Sequence, residues 1–273
     1  CLLIACRNEA DSNNQYVNKW IGTGLEGRVA PVASVPFGMM QIGADTRPYG
    51  AGYHYDDPSI LGFSHLHKSG GGCADFLDIL FMPLPLNSGM TDEELYSKQY
   101  QAVLSHKDEK AEPGYYSVGL YDKQLTVELT ASRRCGLQRY TYASEGEIPV
   151  IVDLKYGSES ACTIQSEHDV DTVYASAFEW IDPYTVRGYR CSNGWTPGQQ
   201  VYSTFSSPIK ECVLYVDDRR MEGMTSAEGT NIKALLTFES NTGELEVRTA
   251  LSSVDTQGAA KNLWAETKNK TFD

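Results

Sequence analysis

Between residue 115 and residue 251 the chain consists of short segments in which apolar and polar residues alternate. Residues 125–131, for example, read LTVELTA, so that every second side chain is apolar. This period of two is typical of strands with one buried face. A buried run at 79–82 and the alternating segments predict strands at 79–82, 115–121, 125–131, 135–142, 148–154, 172–179, 184–190, 200–206, 212–217, 230–238 and 244–251. With almost no helical period between them, these strands predict a mainly β fold, a large antiparallel β-sandwich (supersandwich-like) in one domain over residues 16–251.

The first fifteen residues differ from the rest, because a short apolar run is followed at once by polar residues. Leu3-Ile4-Ala5 directly precedes Cys6. This order resembles the end of a bacterial lipoprotein signal, so residues 1–15 are interpreted as a signal remnant, lipobox and polar spacer, with lipidation at Cys6. The expected location is the bacterial periplasm or cell surface, with membrane contact only through the lipid anchor. The alternative is that the apolar run forms the first core strand of a truncated chain.

Residues 252–273 contain a predicted amphipathic helix over 253–268. Ser253 or Asp255 can accept hydrogen bonds at its first turn, and one face of the helix is apolar, with Ala259, Ala260, Leu263 and Trp264. Such a face must pack on something, and the sequence stops shortly after it. We interpret these residues as the start of a helical linker to a further domain.

Charge and cysteine spacing narrow the classes of function. The chain carries 36 acidic and 23 basic side chains, a formal net charge of −13 at pH 7. Binding of nucleic acid requires clustered Lys and Arg to neutralise phosphates, so this balance disfavours a nucleic-acid partner. No two cysteines have CxxC spacing, so neither a zinc ribbon nor a thioredoxin-type site is supported.

The residues that can carry chemistry are concentrated between residues 52 and 78. Three of the five histidines, His54, His65 and His67, fall there together with Asp75. If the His65–His67 pair lies on a strand, both rings share one face, and a metal ion could bind them with Asp75 as the third ligand. The alternative is a glycine-rich loop with hydrogen-bonded histidines that faces a ligand. We favour the loop, because a His-x-His pair is short and common.

Several motifs of the chain occur together in a recognisable order. They are Ile21-Gly22-Thr23-Gly24, Val35-Pro36-Phe37-Gly38-Met39-Met40-Gln41, Gly52-Tyr53-His54-Tyr55, Gly62-Phe63-Ser64-His65-Leu66-His67, Arg134-Cys135-Gly136-Leu137-Gln138-Arg139-Tyr140, Arg190-Cys191-Ser192-Asn193-Gly194-Trp195 and Leu251-Ser252-Ser253-Val254. The series resembles the opening region of glycoside hydrolase family 92, the calcium-dependent bacterial exo-α-mannosidases. The resemblance extends from about Tyr16 to the end of the chain.

The resemblance implies a β-sandwich, a short helical linker and a C-terminal α/α-barrel, which together remove terminal α-linked mannose from glycans with inversion. In that family the catalytic acid, the catalytic base and the calcium ligands belong to the barrel. Inverting hydrolysis needs two carboxylates about 6.5–9.5 Å apart around the scissile bond. We therefore expect no catalytic residue and no metal ligand in this chain, and no activity from the chain alone.

The same resemblance implies that loops of the sandwich help to wall the sugar pocket. The 52–78 loop is the candidate, with Tyr53 or Tyr55 as an aromatic face and His54, His65, His67 and Asp75 as hydrogen-bonding groups. The alternative is that this loop only forms the interface between domains.

The chain departs from the family pattern at two places. After Gly24 the family usually has a histidine and an aromatic–Pro–Gly run, whereas residues 25–33 read LEGRVAPVA here, and Lys68 stands where an apolar residue is usual. The departures fall at the expected edge of the pocket, so the linkage preference is not carried over. Two other functions also fit the sequence, a free-standing carbohydrate-binding or surface adhesion module and a metal-dependent hydrolase built on His65 and His67.

Overall fold

The computed structural model describes residues 13–71, 76–157, 171–193 and 198–273, and most of the regular structure in these ranges is β. The strands are β1 (Gly43–Asp45), β2 (Ser59–Ile60), β3 (Gly62–Ser64), β4 (Leu80–Pro83), β5 (Ala102–Val103), β6 (Glu109–Glu112), β7 (Tyr115–Leu120), β8 (Leu125–Ala131), β9 (Cys135–Tyr142), β10 (Gly146–Asp153), β11 (Val173–Asp182), β12 (Thr185–Ser192), β13 (Gln199–Phe205), β14 (Ile209–Val216), β15 (Arg219–Met221), β16 (Ser226–Gly229), β17 (Ile232–Ser240) and β18 (Glu244–Ser252). The mainly β prediction is confirmed. β8 and β9 have the predicted bounds, and the other predicted strands are shifted by a few residues at their ends.

Two antiparallel sheets form the layers of the sandwich. Sheet A has seven strands in the order β1-β3-β4-β10-β17-β14-β15, and sheet B has nine in the order β16-β11-β12-β13-β18-β9-β8-β7-β6. β2 and β5 form a separate pair. The β7-β8-β9 meander shows why the alternating sequence builds this arrangement, because hairpin connections keep successive apolar faces on the same side of the sheet.

The core lies between the two sheets. The buried side chains of β7 are Tyr116, Val118 and Leu120, every second residue of the strand. Across the layers, the ring of Phe205 on sheet B packs on the ring of Phe238 on sheet A, with 4.7 Å between centroids. Burial of apolar side chains from both inner faces is the main stabilising contribution to such a sandwich.

Two α-helices lie outside the sheets, α1 (Asp92–Tyr96) and α2 (Thr256–Thr267). Asp255, one of the two predicted capping residues, precedes α2, and its side chain accepts from the Gly258 amide. Ala259 and Leu263 are buried, but the side chain of Trp264 is 63% exposed, so the buried face is narrower than predicted. Of the described helices, none has the length and apolar character needed to cross a membrane.

The partner of α2 lies within this chain. Leu263 packs with Cys135 and Ala250 of sheet B, and Glu266 accepts from Ser132 Oγ at 2.5 Å and from Arg134 Nε at 2.6 Å. The sandwich therefore covers Ala259 and Leu263 of the predicted apolar face, whereas Trp264 stays exposed. The assignment of residues 252–273 as an interdomain linker stays a prediction.

Candidate functional site

A tight loop, residues 46–58, connects β1 to β2 and carries several of the predicted residues. The amides of Thr46 and Arg47 both donate to the carbonyl of Gly52, at 2.7 and 3.2 Å. Gly52 has a φ of +82°, and a Cβ at this position would lie 2.7 Å from Asp45 Oδ1. Glycine is required here, because both the left-handed backbone and the lack of space disfavour a side chain.

The loop forms one side of a cleft of about 220 Å³. Arg47, Tyr49, Tyr53 and His54 line it from the loop, and Leu25, Glu26 and Arg28 line it from the opposite side. A polar cleft with aromatic and cationic groups at its walls has the composition of a site for a small polar ligand such as a single sugar ring.

Arg47 is held in a fixed orientation at this cleft. Its Nε and Nη2 donate to Asp57 Oδ2 and Oδ1 at 2.7 and 2.5 Å, and Thr46 Oγ1 donates to Asp57 Oδ2 at 2.6 Å. Burial raises the pKa of Asp57, but the hydrogen bonds from Arg47 and Thr46 outweigh it and hold this pKa below its usual value. The guanidinium also lies 5.2 Å from the centroid of the Tyr49 ring. The bidentate pair therefore presents a preorganised cation beside an aromatic face.

Tyr53 is anchored beneath the cleft by a buried carboxylate on β6. Its hydroxyl donates to both oxygens of Glu109 at 2.9 and 3.0 Å, and the Tyr116 hydroxyl donates to the same group at 2.6 Å. His106 Nδ1 lies 2.6 Å from Glu109 Oε2, and His106 Nε2 lies 2.5 Å from the Tyr55 carbonyl. The imidazole therefore bridges the Glu109 carboxylate and the loop backbone. Burial and the charge of Glu109 raise the pKa of Tyr53, which keeps its hydroxyl protonated.

His54 and Tyr55 occupy the margin of the cleft. The amide of Asp56 donates to His54 Nδ1 at 3.2 Å, so Nε2 carries the proton and donates to the Leu25 carbonyl at 3.0 Å. The Tyr55 ring is 37% exposed and stacks on His106 with 3.8 Å between centroids. His54 thereby ties the loop to the opposite side of the cleft.

His65 lies in the core below the cleft. β3 ends at Ser64, so the strand that would place His65 and His67 on one face stops before the pair. The His65 side chain is fully buried; its Nδ1 lies 2.9 Å from the Ile79 carbonyl and its Nε2 lies 3.3 Å from Gln138 Nε2. Since the carbonyl accepts and the amide donates, His65 is neutral with its proton on Nδ1. Burial lowers the pKa of His65 to about 4.

His67 is buried next to Asp45 at the base of the loop. Its Nδ1 donates to the Gln41 carbonyl at 2.8 Å, and its Nε2 lies 3.3 Å from Asp45 Oδ1. The other carboxylate oxygen of Asp45 accepts from the Ser64 amide at 2.7 Å. Burial lowers the pKa of His67, but the charge of Asp45 and the surrounding acceptors outweigh it and raise this pKa above its usual value. The pair therefore supports the loop from inside the protein.

The metal hypothesis gains no support from this geometry. In the ranges that the structure describes, no three His, Cys, Asp or Glu side chains are grouped so that they could hold a metal ion. The ring nitrogens of His65 and His67 are engaged with protein groups. Asp75, the predicted third ligand, lies outside the described residues, as does the predicted lipidation site Cys6.

The structure brings Tyr53 and His54 into one cleft, places Tyr55 at its margin and buries His65 and His67 in the interior. The predicted contact of these residues with a sugar stays a prediction. The geometry assigns support of the loop to His67, which lies next to Asp45, whereas the polar partners of His65 are Ile79 and Gln138, outside the loop.

Sequence reasoning missed Arg47, which supplies the cation at the cleft, and Asp57, which fixes its orientation. The available signal was the turn sequence Arg47-Pro48-Tyr49-Gly50, which follows β1 after Thr46.

The opposite side of the cleft is formed by the residues that depart from the family pattern. Leu25 and Arg28 have φ values of +51° and +54°, a region that side chains other than glycine rarely adopt. The Leu25 side chain is 88% exposed, and Arg28 Nη2 lies 2.9 Å from Glu26 Oε2. Backbone strain of this kind tends to be concentrated at functional sites.

The two-sheet sandwich and its polar, tyrosine-lined cleft define a β-sandwich domain of the carbohydrate-active type. Residues 16–252 match the model of the glycosyl hydrolase family 92 N-terminal domain. The chain belongs to this family.

Known structures and a curated relative agree with the assignment. The fold superposes with a TM-score of 0.79 on a family GH92 α-mannosidase from Bacteroides thetaiotaomicron in complex with mannoimidazole, at 31% identity, over 95% of this chain and 35% of that chain. A GH92 inverting mannosidase from Bacteroides thetaiotaomicron VPI-5482 shares the fold at 24% identity, with a TM-score of 0.74, over 93% of this chain and 33% of that chain. An uncharacterized secreted glycosidase from Arthroderma benhamiae is 27% identical over 99% of this chain and 37% of its own length. The chain thus spans about a third of each of these relatives.

Proposed function

We propose that this chain is the N-terminal sandwich domain of an exo-α-mannosidase and that its 25–28 and 46–58 cleft forms one wall of the site for the terminal mannose. The catalytic acid and base would come from a following α/α-barrel domain, and the chain alone would be inactive. The similarity to a mannosidase that binds mannoimidazole supports the substrate class, and the small share of each relative that the chain covers supports the division into domains.

The observation that carries this proposal is the fixed guanidinium of Arg47 beside the Tyr49 ring. Two of its five N–H groups bond to Asp57, so the others are available to the hydroxyls of a sugar. Tyr49 is 40% exposed and offers a flat face next to that cation. An aromatic face combined with a few oriented polar groups suits the recognition of one pyranose ring.

In this proposal the calcium ligands come from the proposed α/α-barrel domain. The described residues offer no grouped acidic ligand set. Glu26, which lines the cleft, is paired with Arg28, and the carboxylates behind the cleft, Asp57 and Glu109, are bonded to Arg47 and to tyrosine hydroxyls. A calcium ion would supply electrostatic stabilisation from the barrel side. This chain's part is to orient the sugar against it.

An extracellular location fits the same proposal. The relative from Arthroderma benhamiae is described as secreted, and we extend that location to this protein with a lipid anchor at Cys6 in the periplasm or on the cell surface. The anchor is tested by labelling cells with radioactive palmitate. A Cys6→Ala variant should lose the label and leave the membrane fraction, and a label that persists would contradict the anchor.

The division of labour is tested by measuring the hydrolysis of a set of α-linked mannobioses of different linkage with this chain alone and with the chain joined to its barrel domain in the presence of calcium. We expect activity only from the longer protein. In that protein Arg47→Ala should raise KM about tenfold, since a hydrogen bond from a charged group contributes about 1.5 kcal/mol or more. The matched control is Arg187→Ala, which removes an arginine paired with Glu179 on sheet B, away from the cleft.

Three outcomes would overturn this proposal. Release of mannose by the chain alone would show that it holds its own catalytic pair. Equal kinetics for Arg47→Ala and Arg187→Ala would remove the cleft from the sugar site and favour the interface role. Sugar binding by the chain with no hydrolysis by the longer protein would instead indicate a carbohydrate-binding module.

A further inference from the structure

A second concave region lies on sheet B. It consists of a groove of about 640 Å³ beside β7, β8 and β9 and an adjoining pocket of about 160 Å³. Gln124, Tyr142 and Ala143 line both and form their common wall. Among the described residues, none that lines this region also lines the cleft between 25–28 and 46–58.

The floor of the groove is a row of small and hydroxyl-bearing residues on three neighbouring strands. Gly119 pairs with Thr126, and Thr126 pairs with Thr141. Both threonines are exposed. A Cβ on Gly119 would lie 3.3 Å from Asp108 Cβ and 3.9 Å from Tyr121 Cζ, so the glycine leaves the side of this floor open to those two side chains. The result is a flat surface with hydroxyl groups directed outward.

Tyr121 forms an aromatic wall beside this floor. Its side chain is 66% exposed, so the ring is accessible to a ligand. The nearby Asp108 carboxylate raises the pKa of Tyr121, and both side chains lie within 4 Å of the space beside Gly119. An exposed tyrosine ring loses little conformational entropy when a ligand packs on it, because its side chain is rigid.

Lys123 lines the adjoining pocket. The residue as a whole is 8% exposed, and within the described ranges its ammonium has neither a hydrogen bond nor an ion pair to a protein group. Burial lowers the pKa of Lys123, and Asp122 opposes this only through its charge. The Nζ atom is not enclosed by protein, so its three N–H groups can donate to an oxygen atom of a ligand in this pocket.

We infer that the groove and the pocket form a second carbohydrate-binding site, which takes a short neutral oligosaccharide. One pyranose ring lies against Tyr121 above the Thr126–Thr141 row, and an oxygen of the neighbouring sugar accepts from Lys123 Nζ. The site holds a glycan without cleaving it. This inference does not depend on the proposed role of the 46–58 cleft, since the two regions share no described lining residue.

The test is a titration of the isotope-labelled full chain with α-linked mannotetraose, followed by the NMR signals of backbone amides. It is carried out in an Arg47→Ala background, so that binding at the first cleft is weakened. We expect shifts at Gly119, Thr126 and Thr141. Tyr121→Ala should raise Kd at least tenfold, as truncation of an aromatic anchor does in other interfaces. Lys123→Met, which keeps the apolar stem, should also weaken binding.

The control is Tyr184→Ala, which removes an exposed tyrosine from the turn between β11 and β12. It should leave Kd unchanged, and unshifted signals elsewhere in the variants show that each is folded. The inference is overturned if the sugar shifts no amide of the Gly119–Thr126–Thr141 row. It is also overturned if Tyr121→Ala and Lys123→Met bind as the control does. Hydrolysis by the two-domain protein reports on the first cleft alone and separates the two ideas.

Discussion

Replacement of His65 by asparagine should make the stability of the sandwich less sensitive to acid. In the folded protein His65 is neutral, because it donates to the Ile79 carbonyl and accepts from Gln138. Burial lowers its pKa from 6.5 to about 4. The unfolded chain therefore binds a proton at this position below pH 6.5, whereas the folded protein does not until about pH 4. The free energy of unfolding must fall as the pH decreases through that window.

The size of this effect follows from the two pKa values. The interval between 6.5 and about 4, at ~1.4 kcal/mol for each pH unit, gives about 3 kcal/mol over the whole window and about 2 kcal/mol between pH 7 and pH 4.5. His67 acts in the opposite direction. Its raised pKa gives stability that is fully present below pH 6.5 and is lost as the pH rises through the folded-state value. His67 is present in both proteins, so its own contribution cancels except for its charge interaction with His65, which is one cause of the lowered His65 pKa.

The assay is urea unfolding of the natural chain and of His65→Asn at pH 7 and pH 4.5. The variant retains a donor for Ile79 but cannot titrate, so it should be less stable at pH 7 and should lose about 2 kcal/mol less on acidification. Tyr140→Phe is the matched control, because it removes a hydrogen bond to Gln138 from the same network without changing a group that titrates in this range. Equal acid sensitivity of His65→Asn and the natural chain would refute the reasoning.

Two further substitutions test the loop and the C-terminal helix. Gly52→Ala should lower the free energy of unfolding by about 3 kcal/mol, because the new side chain meets both an unfavourable backbone conformation and a clash. The control Gly50→Ala, at a φ of +65° with nothing within 4 Å of the added Cβ, should lower it by about 1 kcal/mol. Similar losses for the two variants in urea unfolding would contradict the assigned clash. Glu266→Ala removes the hydrogen bonds to Ser132 and Arg134. It should speed amide hydrogen exchange in residues 256–267 and lower the free energy of local opening by about 1–2 kcal/mol. The control Asp273→Ala, at an exposed ion pair, should leave the exchange unchanged. Unchanged exchange in the Glu266 variant would show that apolar packing alone holds α2.

The longer strands after residue 115 could be predicted from sequence because each carries its own signal, whereas the short β15 and β16 were not predicted. An alternation over six to ten residues fixes both the strand and its buried face, as in β8 and β18. β1, β2 and β5 have only two or three residues, too few for a period to show. They form because other segments of the folded chain supply their pairing partners, and the local sequence does not show where these partners will lie.

The histidines show the same limit at the candidate site. A stretch rich in His, Asp and Gly has the composition of a surface loop, yet His65 and His67 are buried. What permits their burial is the position of their partners, Gln138 and Asp45, which are remote in sequence. The partners of Leu263 and Glu266 on α2 were likewise beyond local reasoning, because they lie as much as 134 residues earlier in the sequence.

The anchoring of the 46–58 loop has a consequence for engineering. Its base is joined to sheet A through Asp45 and His67, and its middle is joined to sheet B through Tyr53 and Glu109. A graft that transfers the loop alone to another sandwich would leave two carboxylate contacts unmatched. Tip positions such as Tyr49 are open to diversification, whereas a change of loop length would have to be accompanied by new anchors on both layers. A successful graft would therefore have to transfer the loop together with its two buried contacts, Asp45–His67 and Tyr53–Glu109.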